Sequence, residues 1–256
     1  MALIKTSNPA LGSNTFRDVA GAGYGGAIDV TTRMTMSGTI NKTAILLLCA
    51  VATAAWTWSL FLNSGMAAVS LLMTLGFIGG FIFAMITVFK KQWAPVCAPI
   101  YALLEGLALG GISAMYNQAY HGIALEAVGL TFTTLFVMLF LYKSRIIKVT
   151  QRFMIGVAAA TGGIFLFYMV EWVLSMFHFN PFGILNGNGA IGIGFSLFIV
   201  GIAALNLVLD FAFIEQGVNY GAPKFMEWYG AFGIMVTLVW LYLEMLRLLS
   251  KINSRN

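Results

Sequence analysis

Long apolar stretches separated by short polar breaks make up most of this chain. A membrane-crossing helix needs about 20 consecutive apolar residues to span a hydrocarbon core of roughly 30 Å. Seven stretches approach or exceed that length, and turn-rich or basic segments separate them. The pattern predicts an all-α integral membrane protein with seven transmembrane helices, at residues 43–62, 67–89, 94–116, 123–142, 153–176, 190–213 and 226–250.

The beginning of the chain does not follow this pattern. Residues 1–41 are polar and rich in Gly and Thr, and they lack the apolar core of a signal peptide. Their Gly-rich run at 20–26 has no preceding strand and no following Lys-Ser/Thr pair, which favours a linker over a phosphate-binding loop. We therefore predict a flexible tail over residues 1–41 and a transmembrane domain over residues 42–252.

Composition supports the membrane assignment and removes other classes of function. The chain is 60% hydrophobic and only 9% charged, whereas soluble domains carry about 25% charged residues. The net charge of +5 comes from basic residues clustered in loops, which is a topology signal and predicts no nucleic-acid partner. Cys49 and Cys97 lie in apolar stretches and form neither a metal-binding spacing nor a disulfide framework.

The basic residues also predict an orientation. The loops after the first, third and fifth predicted helices contain no Lys or Arg, whereas the tail and the loops after the second, fourth and sixth do. Because cytoplasmic loops carry the excess of Lys and Arg, we expect the amino terminus in the cytoplasm. Arg247, Lys251 and Arg255 would then lie outside, unless the last segment re-enters and returns. The length of residues 226–250 favours a full crossing.

Acids inside the predicted helices are the main functional candidates. An ionisable side chain within a membrane helix is expensive and usually marks an ion or proton path. Asp210 lies near the inner end of the sixth helix, and Asn206, four residues earlier, shares its face. Glu105 lies about 16 Å along the third helix at 1.5 Å per residue. Such oxygens suit calcium and also relay protons, so Asp210 and Glu105 are candidate calcium ligands; the alternative is that Glu105 only joins two helices by a hydrogen bond.

Three further charged residues complete the candidate ion or proton path. Glu227 begins the seventh helix at a depth similar to that of Asp210, where an acid also suits the start of a helix. Glu244 lies near the other end of that helix, three residues before Arg247, so a local ion pair competes with a functional role. Lys90, at the end of the second helix, can also simply reach the membrane surface.

Catalysis fits the sequence poorly. Ser196 ends a Gly194-Phe195-Ser196 run in the sixth helix, a pattern that suggests an intramembrane serine protease, but no histidine lies within a predicted span to act as its base. Asp210 lacks both a second intramembrane aspartate and the Gly-x-Gly-Asp setting of aspartyl proteases. We therefore predict that the protein is not an enzyme and needs no cofactor.

Three stretches resemble a known family. Residues 240–249 (WLYLEMLRLL) follow a sixth helix with a late acid, as in the Bax inhibitor-1 family. Residues 98–106 (APIYALLEG) and 222–229 (APKFMEWY) resemble the bacterial branch in particular. The resemblance covers residues 41–252. It implies six helices wrapped around a central carboxy-terminal helix, and a pH-sensitive calcium leak controlled by two facing acids in the last two helices.

The family's residues carry over onto this chain with departures. The resemblance matches Asp210 to the acid of the sixth helix, Glu244 to the acid of the seventh, and Lys90 to an arginine that holds the gate. The segment between the two acids is about ten residues longer than usual, and the Tyr-Asp-Thr-Gln form around the first acid is absent. On geometry, Glu227 competes with Glu244 as the partner of Asp210.

The sequence thus predicts a pH-sensitive calcium or cation leak in a bacterial inner membrane, with the lipid bilayer and Ca²⁺ or H⁺ as partners. The alternative is an adaptor that binds and modulates a membrane protease or another membrane protein, with the acids serving only the fold.

Overall fold

A computed structural model describes residues 33–177 and 183–255. Six helices in this part of the chain are long and apolar enough to cross a membrane. In chain order they are α1 (Met36–Phe89), α2 (Ala94–Ala119), α3 (Ile123–Lys143), α4 (Gln151–Met176), α5 (Ala190–Asn219) and α6 (Met226–Asn253). A 3₁₀ turn, Lys91–Trp93, joins α1 to α2, and a single helical turn, Gly183–Asn186, precedes α5.

The first helix begins earlier than the apolar pattern predicted. The Thr35 side chain accepts a hydrogen bond from the backbone N–H of Gly38 at 3.0 Å and so caps the amino end of α1. Residues 36–41 are therefore helical, although the sequence placed them in the polar tail. Residues 1–32, on which the rest of that prediction falls, lie outside the described residues.

Gly65 divides α1 into two arms, residues 36–64 and 66–89. It adopts φ 75° and ψ −174°, a conformation essentially restricted to glycine, while its neighbours remain helical. The predicted break at residues 63–65 is thus confirmed as a kink at one residue. Six helices reach spanning length where the sequence predicted seven, because α1 contains both of the first two predicted stretches.

Contacts with α2 show how the two arms run. A methyl group added at Gly106 would meet Ala50 and Thr53 on the first arm, and one added at Gly110 would meet Ala54. On the second arm the order is reversed: Gly80 adjoins Glu105, whereas Met73 adjoins Gly111. The first arm therefore runs parallel to α2 and the second antiparallel to it, so the chain turns back on itself at Gly65.

The last two helices form the interior of the bundle. In their most apolar windows, 72% of α5 and 61% of α6 are buried, compared with 17% of both α1 and α4. Helix α6 packs against α1, α2, α3 and α5. An edge-to-face ring contact between Tyr101 and Phe232, with centroids 5.0 Å apart, fixes the level of α2 against α6.

The bundle has two ends, which we call the Glu227 end and the Gly65 end. At the Glu227 end, the N–H of Met34 donates to the carbonyl of Ala222 at 2.7 Å, which attaches the start of α1 to the loop between α5 and α6. At the Gly65 end, Lys251 Nζ donates to the carbonyls of Leu185 and Gly192, at 3.0 and 3.2 Å, and ties the end of α6 to the start of α5.

Candidate functional site

Asp210 lies between the two interior helices and is 0% exposed. The hydroxyl of Thr237 on α6 donates to Asp210 Oδ2 at 2.6 Å. A hydrogen bond to the acceptor oxygen compensates part of the cost of burying a polar carboxyl group. This contact joins α5 to α6 through a polar group in an apolar interface.

The depth predicted for Asp210 needs correction. The sequence placed Asp210 near the inner end of its helix, at the level of Glu227. Helix α5 continues to Asn219, six residues beyond the predicted end, so Asp210 is more than two turns from its end. Its partner Thr237 lies ten residues along α6 from Glu227, which is about 15 Å at 1.5 Å per residue. Asp210 therefore lies in the middle of the bundle.

Asn206 continues the polar contacts one turn along α5. Its side-chain amide donates to Thr161 Oγ1 on α4 at 2.8 Å and to the carbonyl of Ile202, also at 2.8 Å. Asn206 is buried, and it lies one turn from Asp210 as its spacing in the sequence predicted. Asp210 and Asn206 thus connect three helices, α4, α5 and α6, through side-chain oxygens and an amide.

Glu244 lies on the same face of α6 as Thr237, seven residues farther on, because seven residues make almost two turns. Its carboxylate accepts from Arg247 Nη1 at 2.9 and 3.1 Å and from the Tyr168 hydroxyl at 3.1 and 3.3 Å. Arg247 Nη1 also donates to the Tyr168 oxygen. The local ion pair weighed in the sequence analysis is therefore present, and Glu244 is about 10 Å along the helix from Thr237.

A polar cavity of about 370 Å³ adjoins this ion pair at the Gly65 end. Glu171 lies in its wall, where it accepts from the side-chain amide of Asn186. One acid, Glu171, and two basic residues, Arg247 and Lys251, therefore line one small space, and Arg247 also pairs with Glu244. The cavity is lined by Tyr116, Tyr168, Glu171, Asn186, Asn188, Arg247, Ser250 and Lys251.

Glu227 does not approach Asp210 but belongs to a separate cluster at the Glu227 end. The N–H and the hydroxyl of Thr35 both donate to Glu227 Oε1 at 2.8 Å. Lys42 pairs with Oε2, and Lys224 Nζ lies 3.0 Å from Oε1. The carboxylate fills the space beside Gly38, where an added methyl group would collide with it. Glu227, which the sequence offered as a partner of Asp210, therefore pairs instead with Lys42 and Lys224 and accepts hydrogen bonds from Thr35.

Glu105 lies at about the level of Asp210, but on another side of the bundle. A methyl group added at Gly80 would lie 2.9 Å from Glu105 Oε2, so the carboxyl group packs against the second arm of α1. Lys90, the other candidate, has its ammonium 4.9 Å from the ring centroid of Trp93 in the adjacent 3₁₀ turn. The structure brings neither residue onto the interface between α5 and α6 that holds Asp210.

Comparison with known proteins identifies a family for this chain. The model of the Bax inhibitor 1 like family matches residues 8–254, nearly the whole chain. The chain belongs to this family. No curated protein and no solved structure matches the chain.

Several side chains that matter in this Bax inhibitor 1 like bundle were missed by the sequence analysis. Thr237 holds Asp210, Tyr168 joins Glu244 to Arg247, and Thr161 bonds Asn206. A signal for Thr237 was available, because it lies seven residues before Glu244 and so on the same helical face. Tyr168 and Thr161 carried no comparable signal, because only packing of α4 against its neighbours brings them to these positions.

The described part of this Bax inhibitor 1 like chain contains no group of three or more His, Cys, Asp or Glu side chains placed to hold a metal ion together. The candidate calcium ligands Asp210 and Glu105 face different neighbours, Thr237 and Gly80. Any cation that meets Asp210 would therefore depend on additional ligands such as hydroxyls, carbonyls or water.

Proposed function

We propose that this Bax inhibitor 1 like protein is a pH-sensitive cation leak, with Ca²⁺ as its cargo and Asp210 as the intramembrane carboxylate that meets it. The observation that carries the proposal is a fully buried acid halfway along the bundle, held by a hydroxyl from the facing helix. Removing a carboxylate from water is costly, and in membrane helices such residues usually mark ion or proton paths.

The proposed path follows one face of α6. Gly230, Thr237 and Glu244 are spaced seven residues apart and therefore lie nearly in line on that face. Thr237 meets Asp210, and Glu244 lies beside the polar cavity at the Gly65 end. Two oxygen-bearing side chains, Thr237 and Glu244, thus lie about 10 Å apart between the middle of the bundle and this end.

Both ends of the proposed path are closed in this conformation. Toward the Glu227 end, a methyl group added at Gly230 would lie 3.1 Å from Ile214 Cγ1 and 3.4 Å from Met34 Cε, so apolar side chains fill the space there. Toward the Gly65 end, the guanidinium of Arg247 donates hydrogen bonds to Glu244 and Tyr168 and so lies across the path. A cation from this side would have to displace or pass a positive charge, so Arg247 is the proposed outer barrier.

Protonation supplies a reason for pH sensitivity. A carboxylate in a low-dielectric interior loses its charge when it gains a proton, and the charge sets both its affinity for a cation and its bond to Thr237. Acidification would therefore change the contact that joins α5 to α6. Ca²⁺ and H⁺ would compete for the same oxygens.

The proposed topology has seven crossings with the Glu227 end in the cytoplasm of a bacterial inner membrane. The two arms of α1 run in opposite directions along α2, and each is long enough to cross. Lys42, Lys224 and Arg145 lie at the Glu227 end through their pairs with Glu227 and Glu215, as cytoplasmic basic residues should. The other helices then surround α6.

Purified protein in liposomes separates this proposal from the adaptor. The liposomes contain a calcium indicator, the wild-type protein is the only protein present, and external Ca²⁺ is added at about pH 8 and about pH 6. The leak proposal predicts calcium entry above that of protein-free liposomes, with a rate that differs between the two pH values. No entry at either pH would contradict the leak and favour a protein that acts through a membrane partner such as a protease.

A further inference from the structure

An apolar groove of about 560 Å³ lies between the first arm of α1 and α3. Residues of α2 and α6 also line the groove, and Met235 and Leu238 belong to the interior helix α6. A volume of this size is typical of ligand sites, which lie between roughly 300 and 1,000 Å³. The groove is therefore large enough for a specific occupant.

The length of the groove matches one leaflet of a bilayer. Its wall extends on the first arm from Leu47 to Trp58, which is eleven residues farther along the chain, or about 16 Å at 1.5 Å per residue. The hydrocarbon core of a bilayer is roughly 30 Å thick, so one leaflet is roughly half of that. Trp58, a residue type common at membrane interfaces, lies toward the Gly65 end of the groove.

The chemistry of the wall selects an apolar occupant. Three hydroxyl-bearing residues line the groove, and each hydroxyl already has a partner in the protein. Thr131 donates to the carbonyl of Ala127 at 2.7 Å. Ser113 donates to the carbonyl of Leu109 at 2.5 Å, and it lies 2.6 Å from the Tyr242 hydroxyl, which therefore donates to it. A polar ligand would leave its own groups without partners here, whereas a hydrocarbon chain would not.

We propose that an acyl chain of a membrane phospholipid, from the leaflet at the Gly65 end, occupies this groove. The groove lies between two membrane-spanning segments with lipid-facing side chains such as Val51 and Leu125, so hydrocarbon is what surrounds its opening. The occupant lies against the face of α6 that bears Met235, Leu238 and Val239. At 3.6 residues per turn, Thr237 points to the opposite side of the helix, toward Asp210. The bilayer thus contacts the helix that holds the buried acid, whether or not the protein conducts ions.

Photolabelling of the wild-type protein tests this proposal directly. The probe is a phosphatidylcholine with a diazirine near the end of one acyl chain, incorporated into liposomes with the protein and activated by light. Labelled peptides are then identified by mass spectrometry. The proposal predicts labels on Met235, Leu238 or Val239 of α6, in addition to labels on the outward faces of other helices. Labels on the outward faces alone, with α6 never modified, would overturn it.

A matched pair of variants provides a second measurement. Ala55→Trp fills the groove, whereas Ala52→Trp places the same side chain on the exposed surface of the same helix, outside the groove wall. Native mass spectrometry of protein extracted with mild detergent should show a retained phospholipid for the wild type and Ala52→Trp. For Ala55→Trp the retained fraction should fall severalfold. Equal retention by all three proteins would also contradict the proposal.

Discussion

At the scale of single residues, the ion pair of Glu244 with Arg247 is the contact with the clearest energetic consequence. Glu244 is buried, whereas the Arg247 side chain is 37% exposed. Breaking a buried pair costs roughly 3–5 kcal/mol, because the remaining charge stays in an apolar environment. The partial exposure of Arg247 reduces this cost, so we expect Arg247→Gln to lower the free energy of unfolding by about 1–3 kcal/mol.

Arg145→Gln is the matched control for Arg247→Gln. Arg145 pairs with Glu215 at 2.6 Å, but its side chain is 67% exposed, and exposed pairs contribute only about 0–1 kcal/mol. Thermal unfolding in detergent should therefore show a much larger loss for Arg247→Gln. The double variant Glu244→Gln with Arg247→Gln should recover part of it, because no unpaired charge remains. Equal losses of stability for the two single variants would show that the Glu244–Arg247 pair contributes no more than an exposed ion pair.

The candidate residues also show how far the sequence could lead. Asp210 and Asn206 could be selected from the sequence, because an acid and an amide in an apolar helix are conspicuous and their spacing places them on one face. The partner of Asp210 could not, because the choice between Glu227 and Glu244 depended on where each helix ended. Neither acid supplies the contact with Asp210 Oδ2 described above, which comes from Thr237.

At the scale of elements, the return of α1 depends on Gly65. Its φ of 75° with ψ of −174° lies in a region that a side chain makes strained, at a cost of about 1–3 kcal/mol. We expect Gly65→Ala to lower the free energy of unfolding by that amount and therefore to lower the melting temperature. Gly156→Ala is the control, because Gly156 lies in a regular helix with open space around it and its replacement should be neutral or slightly stabilising. Equal melting temperatures for the two variants would contradict the kink as described.

Helix positions were predictable because a stretch of about 20 apolar residues has few alternatives. The exact ends of the helices were not predictable, because polar or charged residues near a helix end remain helical when they find partners. Helix α1 starts at Met36, capped by Thr35, and Lys42 lies within it because its ammonium reaches Glu227. Helix α5 extends to Asn219, and Glu215 in its last turns pairs with Arg145 and Tyr142. Because α5 is longer than predicted, Asp210 lies in the middle of the bundle and not near the end of its helix.

At the scale of the whole molecule, the seven-crossing topology makes a simple prediction. In a variant with Cys49 and Cys97 replaced by Ser, a single cysteine is introduced either at Ser64 beside the kink or at Ser144 after α3. A membrane-impermeant thiol reagent added to intact cells should label the cysteine at position 64 and not the one at position 144. Lysed cells should show both labelled. Labelling of both or of neither in intact cells would contradict the proposed arrangement.

Asp210, at the centre of the molecule, permits the most direct test of the account, which is the calcium flux of its variants in liposomes across about pH 6 to 8. Asp210→Asn keeps the size of the side chain but removes its charge, and Glu126→Gln makes the same change at an acid in the first turn of α3. We expect Glu126→Gln to behave as the wild type, and Asp210→Asn to lose the pH dependence and most of the flux. A folded Asp210→Asn protein with the flux and pH profile of the wild type would contradict the central claim.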